Sequence, residues 1–229
     1  MNRKIGKMLM LVILAISACS HAGGAVKSKS TVVEFPSDLP GAARVQSDAM
    51  HLQFTSGGQA ILYLEQDHGK TLAILDVTDP AEIRQIGEVA INAPSPYDFA
   101  QDLPGSEELI RYRNNSGFAV ITFKHYKRPE LKDEPDYLHP ARAQAQGVNG
   151  LLLISSKQSP TSEPPSDYEV LSLSNSSPPT PLATIRGVTE RLDRPQTGTT
   201  FLLNTTGLTV IRSVSAEQEY YKRRDHPVG

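Results

Sequence analysis

One cysteine, Cys19, stands in 229 residues, and tryptophan is absent. A lone cysteine near the N-terminus excludes a disulfide framework and a thiolate zinc site in the rest of the chain. It also leaves that part without a thiol nucleophile. A basic stripe is missing too. The formal net charge is -2 and the pI is about 6.3, so nucleic acid is not an expected partner. Beyond the N-terminal segment no apolar run is long enough to form a membrane-spanning helix. No G-x-S-x-G elbow, P-loop or G-x-G-x-x-G occurs. The histidines, His21, His51, His68, His125, His139 and His226, never fall in an H-x-x-x-H or H-E-x-x-H spacing. No cofactor and no metal site are therefore expected, and no enzyme class is indicated. An active site assembled from distant loops stays compatible with the sequence.

What is present begins with an address. In "MNRKIGKMLMLVILAISACS", Arg3, Lys4 and Lys7 precede an apolar core from Met8 to Ile16. This is the layout of a secretory signal, to be set aside from fold reasoning. Its end, "ISAC", resembles the lipobox of bacterial lipoproteins. That resemblance implies cleavage before Cys19 and acylation of its sulfur and its new amine. Several acyl chains on one residue anchor stably where one does not. Ser20 after the cysteine implies sorting to the outer membrane. The plainer alternative is an ordinary secretory signal cut near Ala18 or Ala22. Residues 1–18 are thus read as signal, and residues 19–30 as the lipidated Cys19 and its tether. The polar run "SHAGGAVKSKS" (20–30) gives a reach of roughly 18 Å. Losing the three N-terminal cations leaves a mature chain with a formal charge of about -5, whose folded body is read as a single domain over residues 31–229.

That body repeats. "LAILDV" (72–77) has counterparts in "FAVITF" (118–123), "YEVLSL" (168–173) and "LTVIRS" (208–213). Spacings of 40 to 50 residues suit a propeller blade. A strand-like run precedes each: "ILYLEQ" (61–66), "ELIRYR" (108–113), "GLLLIS" (150–155) and "FLLN" (201–204). Gly69, Gly117 and Gly207 close the short links and are expected to take positive φ in tight hairpins. "MHLQFTS" (50–56), "YDFAQDL" (97–103), "EIRQIGEV" (82–89) and "LATIRGV" (182–188) supply flanking strands. "EYYKRR" (219–224) is expected to play the same part, with Tyr220 and Tyr221 alternating in and out. The run "TVVEF" (31–35) is placed to pair beside the last unit.

The segment "ILYLEQDHGKTLAILDVTDPAEIRQIGEV" (61–89) resembles an LVIVD-type β-propeller repeat, with its L-x-I-x-D strand and D-P turn. The resemblance implies an all-β fold, a small β-propeller of about four blades. A β-sandwich or an incomplete propeller is the alternative reading of the same strands. In the other units Thr122, Ser172 and Arg212 replace Asp76, so the acid does not repeat.

Two mixed-charge links are the candidate interaction loops. The first, 124–141, carries Lys124, Tyr126, Lys127 and Arg128 before an acidic half. The second, 156–167, is rich in Pro and Ser and carries Glu163 and Asp167. The first also reads as a solvated loop whose charges nearly cancel, and the second as an exposed insertion. "DVTDPAE" (76–82) reads as a turn held by Asp79, and its acids lack the spacing of a calcium loop. The expectation is an outer-membrane-anchored envelope lipoprotein whose body is a protein-interaction or scaffold module, held by the lipid on Cys19 and meeting an envelope protein. The alternative is an envelope enzyme or small-ligand binder with its site at the channel mouth.

Overall fold

The computed structural model describes residues 24–103, 105–114, 116–132, 165–174 and 177–225. The chain is all-β, 55% strand, with antiparallel sheets, one of which curls into a half-barrel. In chain order the strands are β1 (Val26–Lys27), β2 (Thr31–Glu34), β3 (Ser47–Phe54), β4 (Ala60–Gln66), β5 (Thr71–Asp76), β6 (Arg84–Ala90), β7 (Tyr97–Leu103), β8 (Glu107–Tyr112), β9 (Phe118–Thr122), β10 (Glu130–Lys132), β11 (Ser166–Ser174), β12 (Ser177–Arg194), β13 (Thr199–Asn204) and β14 (Gly207–Ser213). A helix, α1 (Val214–Asp225), follows.

These strands sort into three sheets: β3-β4-β5-β6, β7-β8-β9-β10, and β1-β2-β14-β13-β12-β11. The repeat explains the first two directly, since each is a meander built from one unit. The third and fourth units share the last sheet because β12 is continuous. Residues 177–188 of β12 pair with β11, and residues 188–194 pair with β13. Just before the handover Gly187 takes φ 62°, and its amide donates to Asp167 Oδ1 at 2.9 Å. The N-terminal run pairs as its position suggests: Thr31–Glu34 lies antiparallel beside β14, with Val33 opposite Ile211.

In the sheet β3-β4-β5-β6 the two central strands are buried on both faces. Every residue of β4 is buried, which is why "AILYLEQ" reads as one apolar run and not as an alternation. Met50, Leu62, Leu64 and Leu75 pack on Phe201, Leu203 and Val210. On the opposite face Ile61, Tyr63, Leu72 and Ile74 meet Tyr97, Ile110, Ile121 and Phe123. Each large apolar side chain buried this way contributes about 1.5–3 kcal/mol.

Gly69, Gly117 and Gly207 take φ 92°, 119° and 121°, as their hairpin positions require. Gly69 has a second constraint, because a Cβ there would lie 2.3 Å from the Ser95 carbonyl oxygen. The "DVTDP" turn is held locally: Asp76 Oδ1 accepts from the Thr78 amide at 3.0 Å, and Asp79 Oδ1 from the Ala81 amide at 2.9 Å. Both acids are turn formers here.

One expectation is overturned. "EYYKRR" (219–224) is helix, not strand. Glu217 sits in its first turn and Lys222, Arg223 and Arg224 in its last, which suits the helix dipole. Glu219 and Arg223 pair at 3.2 Å with i,i+4 spacing. Tyr220 and Tyr221 therefore do not alternate across a sheet. Their rings meet edge to face at 5.5 Å. The run "GLLLIS" (150–155) lies outside the described residues.

Candidate functional site

Strands β3 and β7 are the first edges of their sheets and lie against each other. The second half of β12 comes up to β3 as well. An edge strand presents unpaired backbone groups that need partners. The Met50 amide on β3 finds one in Glu190 on β12, donating to its Oε2 at 2.8 Å. Acids from separate sheets thereby meet at one place.

Arg113, just past β8, organises that place. Its Nε donates to Asp98 Oδ1 on β7 at 2.9 Å, and its outer nitrogen donates to the Asp48 carbonyl oxygen on β3. Arg111 adds a bond to Asp98 Oδ2 at 3.3 Å. His68 Nδ1 lies 3.1 Å from Asp48 Oδ2, although His68 itself is exposed. His68 and Asp67 both hold left-handed backbone, φ 55° and 50°, at the tip of the β4–β5 hairpin. Behind this group Glu65 on β4 is fully buried, and neither of its carboxyl oxygens has a hydrogen-bond partner. Burial, with the charge of Asp48 next in size, pushes its pKa up to about 8, against the pull of Arg113. Burial likewise pushes Glu190 up to about 7, with the Met50 amide opposing. A groove of about 380 Å³ opens beside them, lined by Gln46, Asp48, Gln66, Asp67, His68 and Glu88.

Further along the same two edges sits a second group. Asp102 on β7 and Glu108 on β8 are direct cross-strand partners. His51 on β3 reaches them from the neighbouring sheet, and one donor atom from each of the three lies within 4.8 Å of the others. His51 stacks on Phe99 at 5.0 Å and on Phe123 at 5.3 Å, and Tyr63 meets Phe123 at 4.4 Å. Burial lowers the His51 pKa to about 4, so the ring is neutral at physiological pH. Glu108 is pushed up to about 9, by burial first and then by Asp102. One imidazole and two carboxylates are a donor set able to hold a metal ion.

The residues singled out from the sequence lie elsewhere. Cys19 and Glu163 are outside the described residues. Lys124, Lys127 and Arg128 are exposed on the β9–β10 connection. Tyr126 in the same turn is half-buried, and its carbonyl accepts from the Tyr63 hydroxyl at 3.1 Å. The Lys127 ammonium lies 5.6 Å from the Tyr126 ring centre. Asp167 is a strand residue that holds the Gly187 amide. None of the described ones joins the two polar groups between the sheets. One signal for those groups was present in the sequence: Glu65 directly follows the apolar run "AILYL" and Glu108 directly precedes "LI", each in a strand whose apolar residues are buried.

No family model, curated protein or solved structure matches the chain.

Proposed function

We propose that the protein is a lipid-anchored envelope binding module whose recognition site is the meeting place of β3, β7 and β12, where Asp48, Glu65, Asp98 and Glu190 surround Arg113. One observation carries this reading. A completely buried Glu65 without a hydrogen-bond partner stands behind two partly exposed acids from two sheets, Asp48 and Asp98, with the more buried Glu190 reaching in from the third. Folded domains rarely keep an unsatisfied buried carboxyl without a use for it. The charge of the groove favours a cationic occupant, such as a basic segment of a partner protein.

The body fits a small propeller of the LVIVD kind. Two four-stranded meanders follow one another, and their first strands come together at the site. The second half of β12 with β13, β14 and β2 would form a further blade closed by the N-terminal strand. Rigid sheets with variable connections are a common recognition platform. The anchor rests on "ISAC" and Cys19, and it places the module on the outer membrane.

The test uses the full lipidated chain in detergent. Partners co-purifying from envelope membranes are expected to be lost when Asp48 becomes Asn, and to be retained when Lys124 and Lys127 become Ala. The opposite pattern would move recognition to the surface turns. A Cys19→Ser chain that still fractionates with membranes would remove the anchor from the account.

A further inference from the structure

The pairing of Asp102 with Glu108 poses an electrostatic problem. Like charges directly opposite each other across two strands are destabilising. A hairpin places these two acids in register, and Glu108 is only 3% exposed. Its Oε2 is buried and has no hydrogen-bond partner. Either a shared proton or a bound cation has to relieve such a pair, and among the described residues no lysine or arginine acts on Glu108. His51 is what the neighbouring sheet supplies instead.

We propose that His51, Asp102 and Glu108 are the protein ligands of one Zn²⁺-type divalent cation, held between the sheet of β3 and the sheet of β7. The inference does not depend on the anchor or on the cationic partner. Three protein ligands of this kind leave a fourth position open, the arrangement of zinc sites that bind a further small ligand or water. An imidazole among only three protein donors suits a borderline ion better than Ca²⁺ or Mg²⁺, which want more oxygens or retain their waters. Ligand atoms about a tetrahedral Zn²⁺ stand roughly 3.3 Å apart for bonds of about 2.0 Å. The three donors lie within 4.8 Å of one another, so closure needs a side-chain shift of about an ångström. Asp102 is exposed and free to make it. His51 and Glu108 are less so. His51 is stacked against Phe99 and Phe123, and Glu108 is buried in β8. Two fixed donors and one adjustable donor make a half-built site. The bound ion would tie β3 to β7, whose approach brings the acidic groove together.

The experiment is calorimetric titration of untagged, chelator-stripped full-length protein with Zn²⁺ alone, repeated with Mg²⁺ alone. Co²⁺ is added in a parallel titration to read the coordination sphere by its visible absorption. One Zn²⁺ per chain is expected, with Mg²⁺ binding at least 100-fold weaker. Glu108→Gln, which keeps size and fold, and Asp102→Asn, which changes only an exposed side chain, are each expected to weaken Zn²⁺ at least 10-fold. His51→Phe, which keeps the aromatic stack, is expected to abolish the Co²⁺ spectrum. No saturable site, equal affinity in all three variants, or equal affinity for Mg²⁺ would overturn the proposal. The acid pair would then be sharing a proton and not holding an ion. A saturable zinc site with no partner whose binding depends on Asp48 would instead count against the function proposed above and leave this inference standing.

Discussion

Glu65 shows how much one residue decides. It stands in β4 where its neighbours are apolar, and it faces Asp48, Asp98, Arg113 and the Tyr97 ring. Its carboxyl stays neutral in the fold to about pH 8 but ionises near 4.5 when exposed. The stabilising contribution is therefore complete below pH 4.5 and is lost as pH rises through 8. Urea midpoints are expected to fall between pH 5 and 9, with a Glu65 share on the order of a few kcal/mol. Glu65→Gln is expected to flatten that fall, and an unchanged slope would show the carboxyl to be ionised in the fold. Arg194 is a second such residue. It is 2% exposed, donates to the Val77 and Thr78 carbonyls, and lies 5.8 Å from both the Phe54 and Tyr220 rings. It joins the third sheet to the "DVTDP" turn of the first and to α1. Arg194→Ala is expected to cost about 2–4 kcal/mol by chemical denaturation, from lost contacts and two unmade bonds. Lysine at this place is expected to recover little, since an ammonium lacks the flat fork that fills the gap between two rings.

At the scale of elements, the strands that were legible are those buried on both faces or flanked by tight turns. β4, β5, β8, β9, β13 and β14 fall where the apolar runs put them. Their hairpin glycines do what the spacing asks. Gly69→Ala is expected to cost well over 2 kcal/mol, because the new Cβ meets a backbone oxygen at 2.3 Å. Gly58→Ala also has positive φ but opens onto empty space, so it is expected to cost only about 1 kcal/mol. Thermal unfolding of the two variants separates turn strain from close approach. α1 was not legible as a helix. "EYYKRR" has the aromatic content of a strand, and what makes it helical is the cation-rich last turn and the packing of Tyr220 on Arg194. β2 was legible from position more than from composition. Val33 is fully buried opposite Ile211. Val33→Ala is expected to lower stability by about 2 kcal/mol and to speed proteolysis near the N-terminus. Unchanged proteolysis would mean that β2 is dispensable for closing the last sheet.

On the scale of the whole molecule, the apolar runs marked most of the described strands but not which side chains meet. His51, Asp102 and Glu108 come from three strands, and Glu65, Asp98, Arg113 and Glu190 from widely separated stretches. No spacing rule joins residues brought together only when sheets pack. The surface turns drew notice in the sequence because charge runs are visible there, whereas the charges that converge are single letters inside apolar strands. The proposed function puts recognition where β3, β7 and β12 meet, and not in the connections around them. The most direct test is a photo-crosslinking side chain introduced at Gln46, which lines the acidic groove, compared with one at Lys124 in the β9–β10 turn. In intact envelopes the chain carrying it at position 46 is expected to yield a discrete adduct that Asp48→Asn removes, with none from position 124. An adduct from position 124 and silence at position 46 would contradict it.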